Sequence, residues 1–190
     1  MSELRDAAQS LFEALDRLGI AYAVGGSFAS SLHGIARATQ DIDLIVELSL
    51  AQVDGLDSAI AKDFYADVNA MREAIQRGMS FNVIHLESGF KFDIFVASRH
   101  PLGREQLAHS RLTRTALLGG EPLGVRVISA EDILLAKMLW HREGGEVSER
   151  QWNDLLNLMQ VQSARIDRTY LNTQAIRLGV ADLLARLLHA

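Results

Sequence analysis

Three aspartates interrupt segments of the sequence that are otherwise apolar. Asp41 and Asp43 open the run at residues 41–46, and Asp93 lies inside the run at residues 90–96. Both runs predict β-strands, in which side chains two residues apart point to the same face. Two carboxylates held about 7 Å apart in this way repel each other unless a cation lies between them. Because hard divalent cations prefer oxygen ligands, the pattern predicts a site for Mg²⁺ or Mn²⁺.

The third acid completes this site if its strand lies beside the strand of the first two. On its own strand, Asp93 shares one face with Lys91 and Phe95, and Phe92, Ile94 and Val96 share the other face. Three converging carboxylates can hold two divalent ions and support in-line phosphoryl or nucleotidyl transfer. We therefore predict Asp41, Asp43 and Asp93 as the catalytic and metal-binding residues.

A glycine turn supplies the second half of the predicted site. Residues 20–24 form a short apolar run that ends in Gly25 and Gly26, and Ser27 follows as the predicted N-cap of a helix to about residue 34. Backbone N–H groups at a helix start suit phosphate. The turn therefore predicts a phosphate site, with an ordinary tight turn as the alternative.

These residues need a sheet to bring them together, and the remaining sequence predicts one. Strand-like runs alternate with helical stretches up to residue 128, and residues 129–190 are helical throughout. We predict an α/β core at residues 1–128 with a mixed sheet flanked by helices, and a helical C-terminal region at residues 129–190 packed on it. Two hairpins are expected, formed by residues 80–86 with 90–96 and by residues 112–118 with 125–128.

Composition limits the class of protein. The chain has 190 residues, 48% of them hydrophobic, a net charge of −5 and no cysteine. Disulfides, thiolate metal sites and a cysteine nucleophile are therefore excluded. No apolar run reaches the roughly 20 residues of a membrane span, and the N-terminus lacks the apolar core of a signal peptide. We expect a cytoplasmic protein without a membrane partner.

The spacing of these motifs resembles the nucleotidyltransferase superfamily that includes DNA polymerase β. Its signature is a Gly-Gly/Ser turn, then Asp-x-Asp and a later third Asp. Within this superfamily the sequence is most similar to the AbiEii-type toxins and related small prokaryotic nucleotidyltransferases. Three segments carry this likeness: Gly-Ser-Phe-Ala-Ser-Ser-Leu-His-Gly at 26–34, Arg-Ala-Thr-Gln-Asp-Ile-Asp at 37–43 and Ser-Ala-Glu-Asp-Ile-Leu-Leu-Ala-Lys at 129–137.

The resemblance implies roles for single residues. Gly25, Gly26 and Ser27 would bind the triphosphate of an incoming nucleotide such as ATP. Asp41 and Asp43 would bind Mg²⁺, and Asp93 would complete the metal site and help to deprotonate the attacking hydroxyl. The implied nucleotide-binding residues also include Arg37, Thr39 and Lys137. Two alternatives stay open here, since Arg37 could instead pair with an acid and Lys137 could be a solvated charge on an amphipathic helix.

The resemblance implies Mg²⁺-dependent transfer of a nucleoside monophosphate from an NTP to an acceptor hydroxyl. The acceptor would be a tRNA or other RNA end, a protein or a small molecule. A toxin–antitoxin or defence setting, with a cognate antitoxin as partner, is also implied.

The helical tail could cover the cleft, bind the acceptor or form a homodimer. One alternative is a non-catalytic member that binds a nucleotide or a partner protein. The other, a phosphatase with an aspartate nucleophile, is disfavoured because Gly25-Gly26-Ser27 precedes Asp-x-Asp.

Overall fold

The structure, a computed structural model, describes residues 3–34 and 41–189. Arg37 and Thr39, two of the predicted nucleotide-binding residues, lie outside the described residues. The helices of the described part are α1 (Glu3–Arg17), α2 (Gly26–Leu32), α3 (Val53–Ile60), α4 (Val68–Arg77), α5 (Gly103–Ala108), α6 (Ala130–Glu143), α7 (Glu149–Gln162), α8 (Arg168–Arg177) and α9 (Ala181–Leu188). The strands are β1 (Tyr22–Val24), β2 (Asp41–Val46), β3 (Phe64–Ala66), β4 (Ser80–His85), β5 (Lys91–Val96), β6 (Arg111–Thr115) and β7 (Leu123–Val127).

All seven strands join one mixed sheet in the order β3-β4-β5-β2-β1-β7-β6. The two predicted hairpins are confirmed, since β4 pairs with β5 and β6 pairs with β7, both antiparallel. Strand β2 lies at the centre, parallel to β5 and antiparallel to β1. Helices flank this sheet and four of them follow its last strand, which confirms the predicted fold class.

The alternation of side chains in the central strands is as the sequence predicts. Ile42 and Leu44 of β2 and Phe92 and Ile94 of β5 are buried on one face of the sheet. The residues that alternate with them lie on the opposite face and are only partly buried: Asp41, Asp43, Lys91, Asp93 and Phe95. Burial of the apolar set fixes the register, because a shift by one residue would turn every side chain to the wrong face.

The helices after β7 share one connected hydrophobic core with the sheet. Helix α6 buries Leu134 and Leu135, while α9 buries Leu183, Leu184 and Leu187. The predicted cap of α6 is confirmed, because the Ser129 hydroxyl accepts a hydrogen bond of 3.1 Å from the backbone N–H of Asp132. Within the described residues, no helix combines the length and apolar character that crossing a bilayer requires.

Candidate active site

Strand pairing places the three predicted aspartates next to one another. Strands β2 and β5 run in parallel with Asp43 beside Asp93 and Asp41 beside Lys91. The sequence could predict the shared face within each strand but only assume that the strands were neighbours. That assumption is confirmed, and the carboxylates lie on one face of adjacent strands.

Asp43 is partly buried, and its pKa departs clearly from the ordinary value of an aspartate. Burial, which is the largest cause, and the negative charges of Asp93 and Asp41 together raise the pKa of Asp43 to about 6. The backbone N–H of Ser27, which donates a hydrogen bond to the carboxylate, and the Lys91 ammonium act in the opposite direction. Desolvation and repulsion between like charges therefore outweigh the favourable contacts around this group.

The glycine turn packs directly against Asp43. The Gly25 N–H donates a 2.9 Å hydrogen bond to the Asp43 carbonyl oxygen, which joins the end of β1 to β2. Gly26 has a φ of +55°, and a Cβ at this position would overlap the Asp43 carboxylate. Glycine is therefore required here both for backbone conformation and for the close approach of the acid.

The prediction that Ser27 is an N-cap is wrong. Helix α2 begins at Gly26 with Gly25 in the N-cap position, and no side chain caps it. Ser27 lies in the first turn instead, because the helix begins at Gly26, two residues before the first helical position that a Ser27 cap would give. Its backbone N–H is directed to Asp43, which a sequence signal for a cap does not reveal.

Lys91 is a member of this group that sequence reasoning did not assign. Its Nζ lies 3.1 Å from Asp93 Oδ2 and 3.6 Å from Asp41 Oδ2. The hydrogen bond to Asp93 raises the pKa of the Lys91 ammonium. The signal was present in the sequence, since Lys91 and Asp93 are two residues apart and were predicted to share a face.

Lys137 lies close to the same site but is not solvated. It lines a small cavity with Gly26 and Asp43, and its side chain is 7% exposed. Its Nζ lies 2.9 Å from Asp154 Oδ2 on α7. The alternative of a solvated surface charge is therefore wrong, and Lys137 is the buried half of an ion pair with the partly buried Asp154.

The chemistry of the donor set fits a hard divalent cation. Asp41, Asp43 and Asp93 offer only carboxylate oxygens, the ligands that Mg²⁺ and Mn²⁺ prefer. Over residues 3–34 and 41–189, no three acidic, histidine or cysteine side chains close around one point as the ligands of a bound ion would. In this conformation the Lys91 ammonium supplies the positive charge between Asp41 and Asp93.

A second polar cluster, absent from the sequence predictions, joins three elements beside the cavity of about 550 Å³ between β6, α6 and α8. Asp132 of α6 is fully buried and accepts a 2.6 Å hydrogen bond from the Tyr170 hydroxyl on α8. Its other oxygen lies 3.5 Å from His109 Nδ1. Burial raises the pKa of Asp132, and the pKa of Tyr170 is raised by burial and by this carboxylate.

Solved structures with the same fold are nucleotidyltransferases or similar to them. An antigenic nucleotidyltransferase-like protein from Paracoccidioides brasiliensis is 20% identical, with a TM-score of 0.56 over 97% of this chain and 92% of that chain. The antibiotic-resistance factor ANT(2'')-Ia is 16% identical, with a TM-score of 0.57 over the whole of both chains. A complex of ANT(2'')-Ia with adenylyl-2''-tobramycin is 13% identical, with a TM-score of 0.53 over the whole of both chains. No curated protein gives a sequence match.

The sequence matches the family described as nucleotidyl transferase AbiEii toxin, Type IV TA system, over residues 9–182. The chain therefore belongs to this family, as the resemblance of its motifs implied.

Proposed function

We propose that the protein transfers a nucleoside monophosphate from an NTP to an acceptor hydroxyl, with Asp41, Asp43 and Asp93 as the catalytic and metal-binding residues. One observation carries this proposal: the parallel pairing of β2 with β5 sets Asp43 beside Asp93, against the turn at Gly25 and Gly26. This juxtaposition supports assigning the family's nucleotidyltransferase activity to these residues.

Each residue has a defined task in this proposal. Gly25 and Gly26 let the backbone approach the triphosphate closely, and the Ser27 hydroxyl donates a hydrogen bond to it. Asp93 accepts the proton of the attacking hydroxyl. Mg²⁺ or Mn²⁺, when bound by the three carboxylates, neutralises charge on the attacking and leaving oxygens.

Lys137 is proposed to contact the nucleotide phosphates. Its support is its position in the cavity shared with Gly26 and Asp43. The ion pair with Asp154 holds the ammonium in place before the nucleotide arrives. Arg37 and Thr39 stay proposals on the resemblance alone, as residues that contact phosphate.

The first test is a thermal-shift titration with each NTP, with and without Mg²⁺. A ligand that binds only the native state raises the melting temperature, so a Mg²⁺-dependent rise is expected with the substrate NTP. Asp43→Asn should lose this rise. The matched control is Glu87→Gln, which removes an exposed carboxylate in the β4–β5 turn. No rise with any NTP, or an equal rise in Asp43→Asn, would refute the site.

The second test identifies the acceptor. NTPs labelled in the α-phosphate are incubated with the protein and with separate RNA, protein and hydroxyl-bearing small-molecule fractions. We expect label in one fraction together with pyrophosphate, and none with Asp43→Asn. An aminoglycoside belongs among the small molecules because a structure of the same fold contains an adenylylated tobramycin.

We also propose that the chain acts as the toxin of a toxin–antitoxin pair, with an antitoxin as its partner, which is supported by the family to which it belongs. Induced expression in a bacterial host should arrest growth. Asp43→Asn, expressed at the same level, should not. Arrest by both forms would show that toxicity does not depend on nucleotidyl transfer.

A further inference from the structure

Lys91 is placed by strand register at the acidic cluster. It lies beside Asp41 across the β2–β5 pair and two residues before Asp93 on its own strand. Its ammonium thus contacts one carboxylate on each strand, at 3.1 Å from Asp93 and 3.6 Å from Asp41. These are the strands that a bound cation would also join.

An ammonium and a divalent cation compete for the same oxygens. Lys91 donates its hydrogen bond to Asp93 Oδ2, an oxygen that would otherwise be available as a metal ligand. The repulsion between a cation with two positive charges and an ammonium a few ångströms away is strong in a partly buried site. A bound cation and the Lys91 ammonium would therefore compete for the carboxylates of Asp41 and Asp93.

The side chain of Lys91 is exposed enough to move from the cluster into solvent. About one third of it is exposed, whereas Asp93 is 23% exposed. Its ammonium is a compact charge at the end of a flexible four-carbon stem, so it can turn towards water without any change in the strand.

We propose that the Lys91 ammonium is an internal counter-ion that occupies the cation position between Asp41 and Asp93 in the metal-free protein, and that it must leave when Mg²⁺ binds. This inference rests on the proposed function, because it assumes that these carboxylates are the metal ligands. Lys91 is a positioning residue that stabilises the carboxylates before the metal arrives and weakens metal binding by competing for them.

The test compares Mn²⁺ binding, followed by the electron paramagnetic resonance signal of the free ion, in four forms of the full chain. These are the wild type, Lys91→Met, Lys62→Met and Asp43→Asn. Lys62→Met is the matched control because it removes the same charge from an exposed position near the end of α3. Lys91→Met should bind Mn²⁺ roughly tenfold more tightly than the wild type. Lys62→Met should equal the wild type, and Asp43→Asn should lose binding.

A second measurement uses the wild-type side chain itself. The chain has three lysines, Lys62, Lys91 and Lys137. After reductive methylation with ¹³C-formaldehyde their methyl resonances can be followed by NMR, with Lys91→Arg providing the assignment. Mg²⁺ should shift the Lys91 resonance at the concentration at which it binds and leave that of Lys62 unchanged. If Lys91→Met does not fold, this measurement alone shows whether the Lys91 ammonium leaves the carboxylates when Mg²⁺ binds.

The outcomes separate this inference from the proposed site. Equal or weaker Mn²⁺ binding by Lys91→Met, with binding lost in Asp43→Asn, would overturn the role of Lys91 and leave the metal site standing. A Lys91 resonance that does not move while Mg²⁺ binds would have the same meaning. Binding that is independent of Asp43, or absent from every form, would overturn the proposed site and the role of Lys91 together.

Discussion

Replacement of Asp43 by asparagine is expected to stabilise the metal-free protein at neutral pH. The pKa of Asp43 is about 6 in the folded chain against an ordinary 3.8, so its ionisation is less favourable in the fold than in the unfolded chain. A tenfold change in proton affinity corresponds to about 1.4 kcal/mol, which gives a penalty of about 3 kcal/mol above pH 6. Asparagine is neutral and nearly isosteric, and its oxygen can still accept the hydrogen bond from Ser27.

The pH dependence follows from the direction of the shift. Below about pH 4 the carboxyl of Asp43 is protonated in both states and its stabilising contribution is fully present. As the pH rises towards 6 the unfolded state ionises first, so that contribution to the free energy of unfolding is progressively lost. The difference between Asp43→Asn and the wild type should therefore be near zero at low pH, increase between about pH 4 and 6, and stay constant above that range.

The measurement is the melting temperature in the presence of a chelator, taken across this pH range. A gain of about 2 to 3 kcal/mol in a chain of this length raises the melting temperature by roughly 4–10 °C. The exposed-carboxylate control Glu87→Gln should change stability by less than about 0.5 kcal/mol. A melting temperature for Asp43→Asn at or below that of the wild type at neutral pH would refute the reasoning.

Three further predictions concern residues at the candidate site and in the second polar cluster. Gly26→Ala should cost roughly 2–5 kcal/mol and abolish NTP binding because of the overlap with the Asp43 carboxylate. Gly89→Ala, at a positive φ with open space around it, should cost only about 1–2 kcal/mol. In urea unfolding, Lys137→Met should cost about 3 kcal/mol because it removes the ammonium that contacts Asp154, and adding Asp154→Leu should restore part of it because the partly buried carboxylate is then removed as well. Tyr170→Phe should cost about 1.5–3 kcal/mol, since it leaves the buried aspartate in the first turn of α6 without its hydroxyl donor.

The sequence predicts the components of the site better than their contacts. Alternation of apolar and polar residues is a local property, so the shared faces of Asp41 with Asp43 and of Lys91 with Asp93 could be predicted. That Asp41 faces Lys91 depends on the register between two strands separated by about fifty residues of chain. Local spacing contains no information on this register, and the ion pair therefore went unpredicted.

Predictions from helical periodicity and capping residues have the same limit, because they do not reveal contacts with other elements. The periodicity of residues 129–143 predicts α6 and its serine cap correctly, but burial of Lys137 depends on Asp154 of the following helix. The serine signal at residue 27 fails for a related reason. The Asp43 carboxylate, sixteen residues further along the chain on β2, accepts a hydrogen bond from the Ser27 N–H, and the helix begins at Gly26, before the serine.

The central position of Asp43 explains how the fold accommodates the destabilising effect of this ionised carboxylate. Strand β2 has partners on both sides, so the backbone that bears Asp43 is held by ladders to β1 and β5. A carboxylate on such a strand cannot relax away from Asp93, and the resulting repulsion is strongest when no cation is present. The same rigidity would keep the oxygens in place for the proposed cation, which would then bind without the cost of ordering its ligands. Stability of the metal-free fold and affinity for the cation should therefore change in opposite directions whenever charge is altered at this face of the sheet.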